Sequence, residues 1–77
     1  MSIRIKFFAS LREQVGQSEL ELAAADVADV DQAWTLSTQG MAMPANVLIA
    51  VNMDYVEHGA AVQDGDEVAF FPPVTGG

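Results

Sequence analysis

The sequence predicts an α+β domain in which one mixed sheet is crossed by one main helix. Three observations support this: hydrophobic residues alternate with polar ones near the N-terminus, a capped helical pattern follows, and short β-rich runs come after it. The chain has 77 residues, which is one domain at most. Apolar residue types make up 51% of it, a fraction too high for intrinsic disorder.

The N-terminal third predicts two strands joined by a short helical turn. Residues 2–8 place hydrophobic side chains at every second position, which is the period of a strand with one buried face. Residues 9–15 lack β-branched side chains until Val15 and are followed by Gly16, which indicates a helical turn. In residues 18–22 leucines alternate with glutamates, which predicts a second strand that exposes its carboxylates to water.

The middle of the sequence predicts a helix followed by a strand. Asp29 and Gln32 have the spacing of a capping pair, and apolar residues then recur at helical spacing. Gly40 is expected just beyond the end of this helix. Residues 47–51 are a continuous β-rich run, which suits a strand covered on one face by the helix.

The last third predicts a short return strand and a final strand. Residues 52–54 offer turn chemistry ahead of a return strand at residues 55–56. A second, strong turn at residues 63–66 precedes a final strand at residues 67–71.

The order of these elements, β–β–α–β–β, describes a ubiquitin-like β-grasp whose first and last strands pair in parallel at the centre of the sheet. We expect residues 1–71 to form this single domain. Pro72 and Pro73 end regular pairing, so residues 72–77 are expected to form an extended and flexible tail that ends in Gly-Gly.

The composition excludes several classes of site. The sequence contains no cysteine, which excludes disulfides, thiolate metal sites, iron–sulfur clusters and cysteine nucleophiles. A single histidine, His58, supports neither a zinc site of the usual kind nor a Ser-His-Asp triad. We therefore expect no metal site, and an independent enzyme is the least favoured interpretation.

The charges are distributed unevenly along a chain whose net charge is −8. The three basic residues lie within residues 1–12 and the eleven acidic ones within residues 13–77, so the two segments carry +3 and −11. This argues against nucleic acid or an anionic membrane surface as a partner. The acidic chain suits docking on a basic protein surface, although the same charge would simply keep the domain soluble. No apolar signal region opens the sequence, and a cytoplasmic protein is expected.

The C-terminus bears two glycines, Gly76 and Gly77. A chain without Cβ atoms fits a narrow channel and presents its carboxylate with no side chain beside it. Such a carboxylate can be activated as an acyl-adenylate and then attacked by a nucleophile. The alternative is an ordinary frayed terminus of small residues, and the two glycines alone favour that alternative.

Longer motifs change this balance. The segment DGDEVAFFPPVTGG, residues 64–77, resembles the C-terminal signature of the small, sulfur-carrier subunits of molybdopterin synthase. The segment IKFFASLRE, residues 5–13, resembles the first strand and helix of that family, and residues 50–52 also match. Residues 26–45 contain no matching motif.

The resemblance implies a mechanism that composition does not show. An adenylyltransferase related to ubiquitin-activating enzymes would use ATP to adenylate the Gly77 carboxylate, and sulfur would then replace AMP. The resulting thiocarboxylate would enter the large subunit of the synthase and donate sulfur to a cyclic pyranopterin monophosphate, building a dithiolene. The carrier itself would bind no cofactor, and the catalytic residues would belong to the large subunit in a heterotetrameric complex.

The resemblance and the strand parity also indicate residues that contact partners. Parity places Phe70 with Val68 on one face of the final strand and Phe71 on the other. For Phe8, Tyr55 and Phe71, an exposed apolar docking patch and ordinary half-buried sheet packing are equally good interpretations. The predicted partner-binding residues are Phe8, Tyr55, Phe71, Pro72, Pro73, Val74 and Thr75. Trp34, Met41 and Met43 are predicted to lie in the core.

Two other functions stay open. A thiamine-type sulfur carrier would share the end chemistry but serve a different acceptor. A ubiquitin-like protein modifier, or a plain β-grasp interaction module, belongs to another class, and a modifier would form isopeptide bonds with lysines.

Overall fold

A computed structural model describes residues 1–44 and 46–72 of the chain. Within these residues five strands form one mixed sheet in the order β2-β1-β5-β3-β4. The elements in chain order are β1 (Ser2–Phe7), α1 (Ser10–Val15), β2 (Glu19–Ala23), a 3₁₀ turn (Ala24–Asp26), α2 (Val30–Thr38), β3 (Leu48–Val51), β4 (Asp54–Val56) and β5 (Glu67–Phe71). The predicted α+β arrangement is confirmed.

The register of the sheet confirms the predicted centre. β1 and β5 are parallel, with Ile5 opposite Val68 and Phe7 opposite Phe70. The other neighbours, β1 with β2, β3 with β5 and β3 with β4, are antiparallel. Because the last strand lies between the first and the third, β5 ends at the centre of the sheet.

α2 packs across one face of the sheet through Trp34. Its ring meets Phe7 edge-on at 5.7 Å between centroids and Phe70 edge-on at 5.0 Å, while Phe7 and Phe70 stack at 5.7 Å. All three side chains are buried. Buried aromatic pairs in these geometries contribute beyond the area they bury, so this triad fixes the helix over β1 and β5.

The predicted cap of α2 is present with one difference. The Gln32 N–H donates to Asp29 Oδ1 at 2.8 Å, as expected for a capping residue. The Gln32 side chain accepts from the N–H of Ala28 at 2.8 Å, one residue earlier than in the usual capping box. The helix ends at Thr38: Gln39 caps it in the left-handed conformation with φ 60, and Gly40, just beyond it, donates its N–H to the Thr35 carbonyl at 2.9 Å.

The prediction that Met41 lies in the core is wrong, since its side chain is 38% exposed. The backbone holds this residue instead: Trp34 Nε1 donates to the Met41 carbonyl at 2.7 Å. Trp34 is buried and Met43 packs against the core, as predicted. The 3₁₀ turn after β2 has no counterpart in the sequence prediction, and the longest described helix, α2, has nine residues. No described helix is long and apolar enough to cross a membrane.

Candidate functional site: an aromatic patch where the chain leaves the sheet

Three predicted contact residues meet on the face of the sheet opposite α2. The rings of Phe8 and Phe71 stack at 4.6 Å between centroids with an interplanar angle of 9°. Tyr55 lies 6.2 Å from Phe71 at a tilted angle. Phe8, Tyr55 and Phe71, hereafter the aromatic patch, come from three different strands or their ends. Tyr55 is 71% exposed and Phe8 39% exposed, so the patch faces solvent in this chain.

Phe8 is positioned by the turn that ends β1. Its N–H donates to the Phe70 carbonyl at 3.1 Å, which continues the pairing with β5 by one residue. Its carbonyl accepts from the N–H of Leu11 at 3.2 Å, and Ala9 between them has φ 52. The reversal at Ala9 ends β1 at Phe7, one residue before the predicted end, and leaves the Phe8 ring beside Phe71.

Tyr55 is positioned by a two-residue hairpin. Asn52 and Met53 join β3 to β4 with φ values of 51 and 73, the positive angles of a type I′ turn. The Asn52 side chain fixes the hairpin to β5, because the Glu67 N–H donates to Asn52 Oδ1 at 3.0 Å. Tyr55 then lies opposite Ala50 in the register.

Below the aromatic patch the sheet is lined by small side chains. Ala50 and Ala69 lie opposite each other in β3 and β5, and their register row continues to Tyr55 on one side and Lys6 on the other. Together with Phe8, Phe71, Met53 and Glu67, these residues enclose a depression of about 430 Å³. The two alanines form its floor, hereafter the alanine floor.

The far end of the same face is charged. Glu67 lies between two cations, with Oε1 3.4 Å from Lys6 Nζ and 4.0 Å from an Arg4 guanidinium nitrogen. On the other side of β1 the register places Glu19 opposite Lys6 and Glu21 opposite Arg4. Exposed pairs of this kind add little stability each, but they divide the face into an apolar half beside the chain exit and a charged half away from it.

The remaining predicted site residues lie at or beyond the end of the description. Pro72 follows β5 directly and is half-buried. Pro73, Val74, Thr75, Gly76 and Gly77 lie outside the described residues. Across the described ranges, no group of three or more histidine or carboxylate side chains could hold a metal ion. His58 is an exposed loop residue as predicted, with Nδ1 3.1 Å from Asp31 Oδ1.

Sequence reasoning missed the alanine floor and Met53. Strand parity alone places Ala69 on the same face as Phe71, so half of the floor was within reach of the sequence. Ala50 lies directly opposite Ala69 because of the register between β3 and β5, and this register cannot be predicted from the sequence.

Similarity to known proteins assigns the chain to a family. The family model of the ThiS family matches residues 5–77. The chain belongs to the ThiS family. The match begins within β1, at Ile5, and extends to the last residue.

Individual relatives of this ThiS-family chain point in two directions. The molybdopterin synthase sulfur carrier subunit of Escherichia coli K12 is 39% identical, over 97% of this chain and 99% of the relative. The solved structure of a putative molybdopterin converting factor, subunit 1, from Pyrococcus furiosus is similar with a TM-score of 0.74 and 30% identity, covering 96% and 99% of the two chains. That of the small archaeal modifier protein SAMP1 of Haloferax volcanii has a TM-score of 0.77 at 27% identity, covering 100% of both. These likenesses confirm the ubiquitin-like β-grasp.

Proposed function

We propose that this chain is the sulfur carrier subunit of a molybdopterin synthase. The observation that carries the proposal is the 39% identity to a protein of that name over nearly the whole of both chains. It is supported by the placement of the aromatic patch at the point where β5 ends and the segment PPVTGG begins.

The chemistry is assigned to the Gly77 carboxylate. An adenylyltransferase partner supplies ATP; the carboxylate attacks the α-phosphorus, pyrophosphate leaves, and an acyl-adenylate forms. Hydrosulfide, or a donor that delivers sulfur at the same oxidation level, then attacks the carbonyl carbon and AMP leaves, which gives a thiocarboxylate. The thiocarboxylate sulfur then forms a C–S bond with the pterin precursor as a C–O bond of the precursor breaks. Water hydrolyses the resulting thioester, which leaves the sulfur on the pterin and returns the Gly77 carboxylate. Neither ATP nor metal needs a site on the carrier.

The large subunit of the synthase is the proposed partner of the aromatic patch. Six residues separate Phe71 from the C-terminus, so the reacting carbon lies at most about 20 Å from the end of β5. A partner that receives Gly77 in its active site is therefore bound close to Phe71 and Phe8. Aromatic residues, Phe and Tyr among them, are enriched in the cores of protein interfaces.

We further infer that the carrier contributes no catalytic side chain. On the described face, Arg4 and Lys6 both pair with Glu67, and they lie with Glu19 and Glu21 in the charged half away from the chain exit. The catalytic residues of the proposed transfer then belong to the large subunit.

The test is the mass of the intact chain together with a reconstituted reaction. Protein purified from sulfur-replete cells with its activating enzyme should contain a fraction in which one oxygen is replaced by sulfur. Loss of the extra mass after incubation with large subunit and pterin precursor, with formation of the dithiolene product, would complete the cycle. A chain that carries only the free carboxylate under these conditions would contradict the proposal.

The likeness to small archaeal modifier protein 1 favours a second candidate, a protein modifier. A modifier forms isopeptide bonds between Gly77 and lysines of other proteins. Extracts probed for this chain would then show bands heavier by one or more copies of it, and those bands would resist thiols and hydroxylamine.

A further inference from the structure

We propose that the depression over the alanine floor receives an apolar anchor side chain of the synthase large subunit, and that Ala50 and Ala69 determine which partner fits. This inference rests on the proposed function and goes beyond it, since it assigns specificity to two residues without reactive groups.

The alanine floor is unusual for an exposed sheet face. Ala50 is 4% exposed and Ala69 8% exposed, although neither lies on the side of the sheet that α2 covers. Strand positions on an open face favour larger β-branched or aromatic side chains. Two alanines directly opposite each other instead leave the backbone of β3 and β5 at the bottom of a recess.

The walls of the recess are large and mostly apolar. Phe71 and Phe8 form the wall beside the chain exit, Tyr55 forms the wall on the β4 side, and Met53 of the hairpin turn lines the rim. Met53 is 89% exposed. The remaining wall is charged, but its two charges are paired: Lys6 Nζ lies 3.4 Å from Glu67 Oε1. An apolar occupant therefore leaves no charge of the recess unpaired.

The length of the C-terminal tail indicates which protein fills the recess. Whatever binds Gly77 lies within about 20 Å of Phe71, and the recess begins at Phe71 itself. The protein that accepts the tail thus covers or borders the recess, whereas an unrelated partner has no such constraint. A second copy is disfavoured by charge, since each chain carries −8. The anchor side chains that contribute most to affinity lie in well-packed, desolvated pockets, and the recess offers one.

The experiment fills the recess and compares two leucines on the same face. In Ala69→Leu the new side chain occupies the recess; in Ala23→Leu the same change is made at the exposed far corner, in β2 opposite Ser2. Binding of each variant to the cognate large subunit is measured by titration calorimetry, and folding by thermal melts. We expect Ala69→Leu to melt near the wild-type temperature and to bind at least about tenfold more weakly, because overpacked contacts are costly. Ala23→Leu should bind like wild type.

Methyl NMR makes the test independent of folding of the variant. With ¹³C-labelled alanine methyls in the wild-type chain, the complex should show intermolecular contacts from Ala50 and Ala69 to an apolar side chain of the large subunit. Unchanged affinity of a folded Ala69→Leu, or absence of those contacts, overturns the inference while sulfur delivery by wild type still supports the proposed function. Contacts instead to Val74 of the same chain, or to a second copy in a dimer seen by sedimentation, also overturn it. Failure of wild type to bind the large subunit at all would remove both proposals.

Discussion

Phe70 and Phe71 are consecutive residues of β5 that lie on opposite faces of the sheet. Phe70 is fully buried against Trp34 and Phe7, and Phe71 stacks on Phe8 on the face that α2 leaves open. Two consecutive residues of one strand thus belong to the core and to the candidate docking surface, respectively. Substitutions at these two positions should separate stability from binding.

We predict that Phe70→Ala destabilises the fold and that Phe71→Ala weakens partner binding. Truncating a buried phenylalanine costs about 3–5 kcal/mol, which is a large share of the stability of a small domain. Phe71 is half-buried and loses mainly its contacts with Phe8 and Tyr55, so its truncation should cost clearly less. Thermal melts and binding titrations of both variants measure the two effects. Equal losses of melting temperature would contradict the assignment of faces.

The sequence was sufficient for the elements that depend on local pattern. The alternation in β1, the cap at Asp29 and the glycine after α2 each reflect interactions within a few residues, and each is present. The opposite orientation of Phe70 and Phe71 follows from parity alone. The parallel pairing of the first and last strands was predicted from topology, and it brings Phe8 next to Phe71.

The parts that the sequence could not supply depend on register and on single backbone angles. Ala50 lies opposite Ala69 only because β3 pairs with β5 in one of several registers. The end of β1 at Phe7 depends on the positive φ of Ala9, an angle that alanine rarely adopts and that no local pattern announces. Met41 was expected in the core because it is apolar, but only its backbone carbonyl contacts Trp34 through a hydrogen bond, and its side chain is exposed.

We predict that association with either partner slows as salt rises. Residues 13–77 carry −11, and a field of this size steers the chain toward basic surfaces. Association rates measured by stopped flow should fall by about tenfold from low to high ionic strength, while dissociation rates change little. Phe71→Ala is the matched control, since it should lower affinity but keep the same salt slope. Rates independent of salt would assign the encounter to apolar contact alone.

The cap of α2 gives a prediction about stability only. Asp29→Ala removes the acceptor of the Gln32 N–H and should lower the free energy of unfolding by about 1 kcal/mol. Asp29→Asn keeps an acceptor at the same place and should cost only a few tenths of that. Urea titrations of the two variants compare them directly. Sulfur delivery by both should equal that of wild type, because α2 packs on the face opposite the aromatic patch.

Substitutions of Met53 in the hairpin turn distinguish the backbone strain at this residue from the contacts of its side chain. Met53 has φ 73, a conformation that costs a side-chain-bearing residue about 1 kcal/mol and glycine little. Met53→Gly should therefore raise the free energy of unfolding by up to about 1 kcal/mol, whereas Met53→Ala keeps the strain and should not. Both variants lose the wall that Met53 contributes to the recess, so both should bind the large subunit more weakly and to the same degree. A stabilised Met53→Gly with full affinity would show that this side chain has no part in docking.

The tail gives the sharpest functional prediction. Deletion of Gly77, or addition of one residue after it, should leave the melting temperature nearly unchanged, because the buried core of the described chain ends with Phe70 and β5 ends at Phe71.

The same changes should abolish sulfur delivery. Loss of one residue moves the reacting carbon by about 3.3–3.6 Å, and a misplacement of even about 1 Å can reduce a rate about 100-fold. An added residue moves the carboxylate past the activating site and introduces a side chain where glycine has none. Gly76→Ala should be milder, because its carbonyl is not the reacting one. The assay is conversion of the pterin precursor by purified large subunit, with the mass of each carrier recorded before and after the adenylyltransferase reaction. The truncated chain ends at Gly76, so its carboxylate lies one residue short of the position that the proposed chemistry requires. Normal turnover by this chain would therefore mean that sulfur is not carried on Gly77.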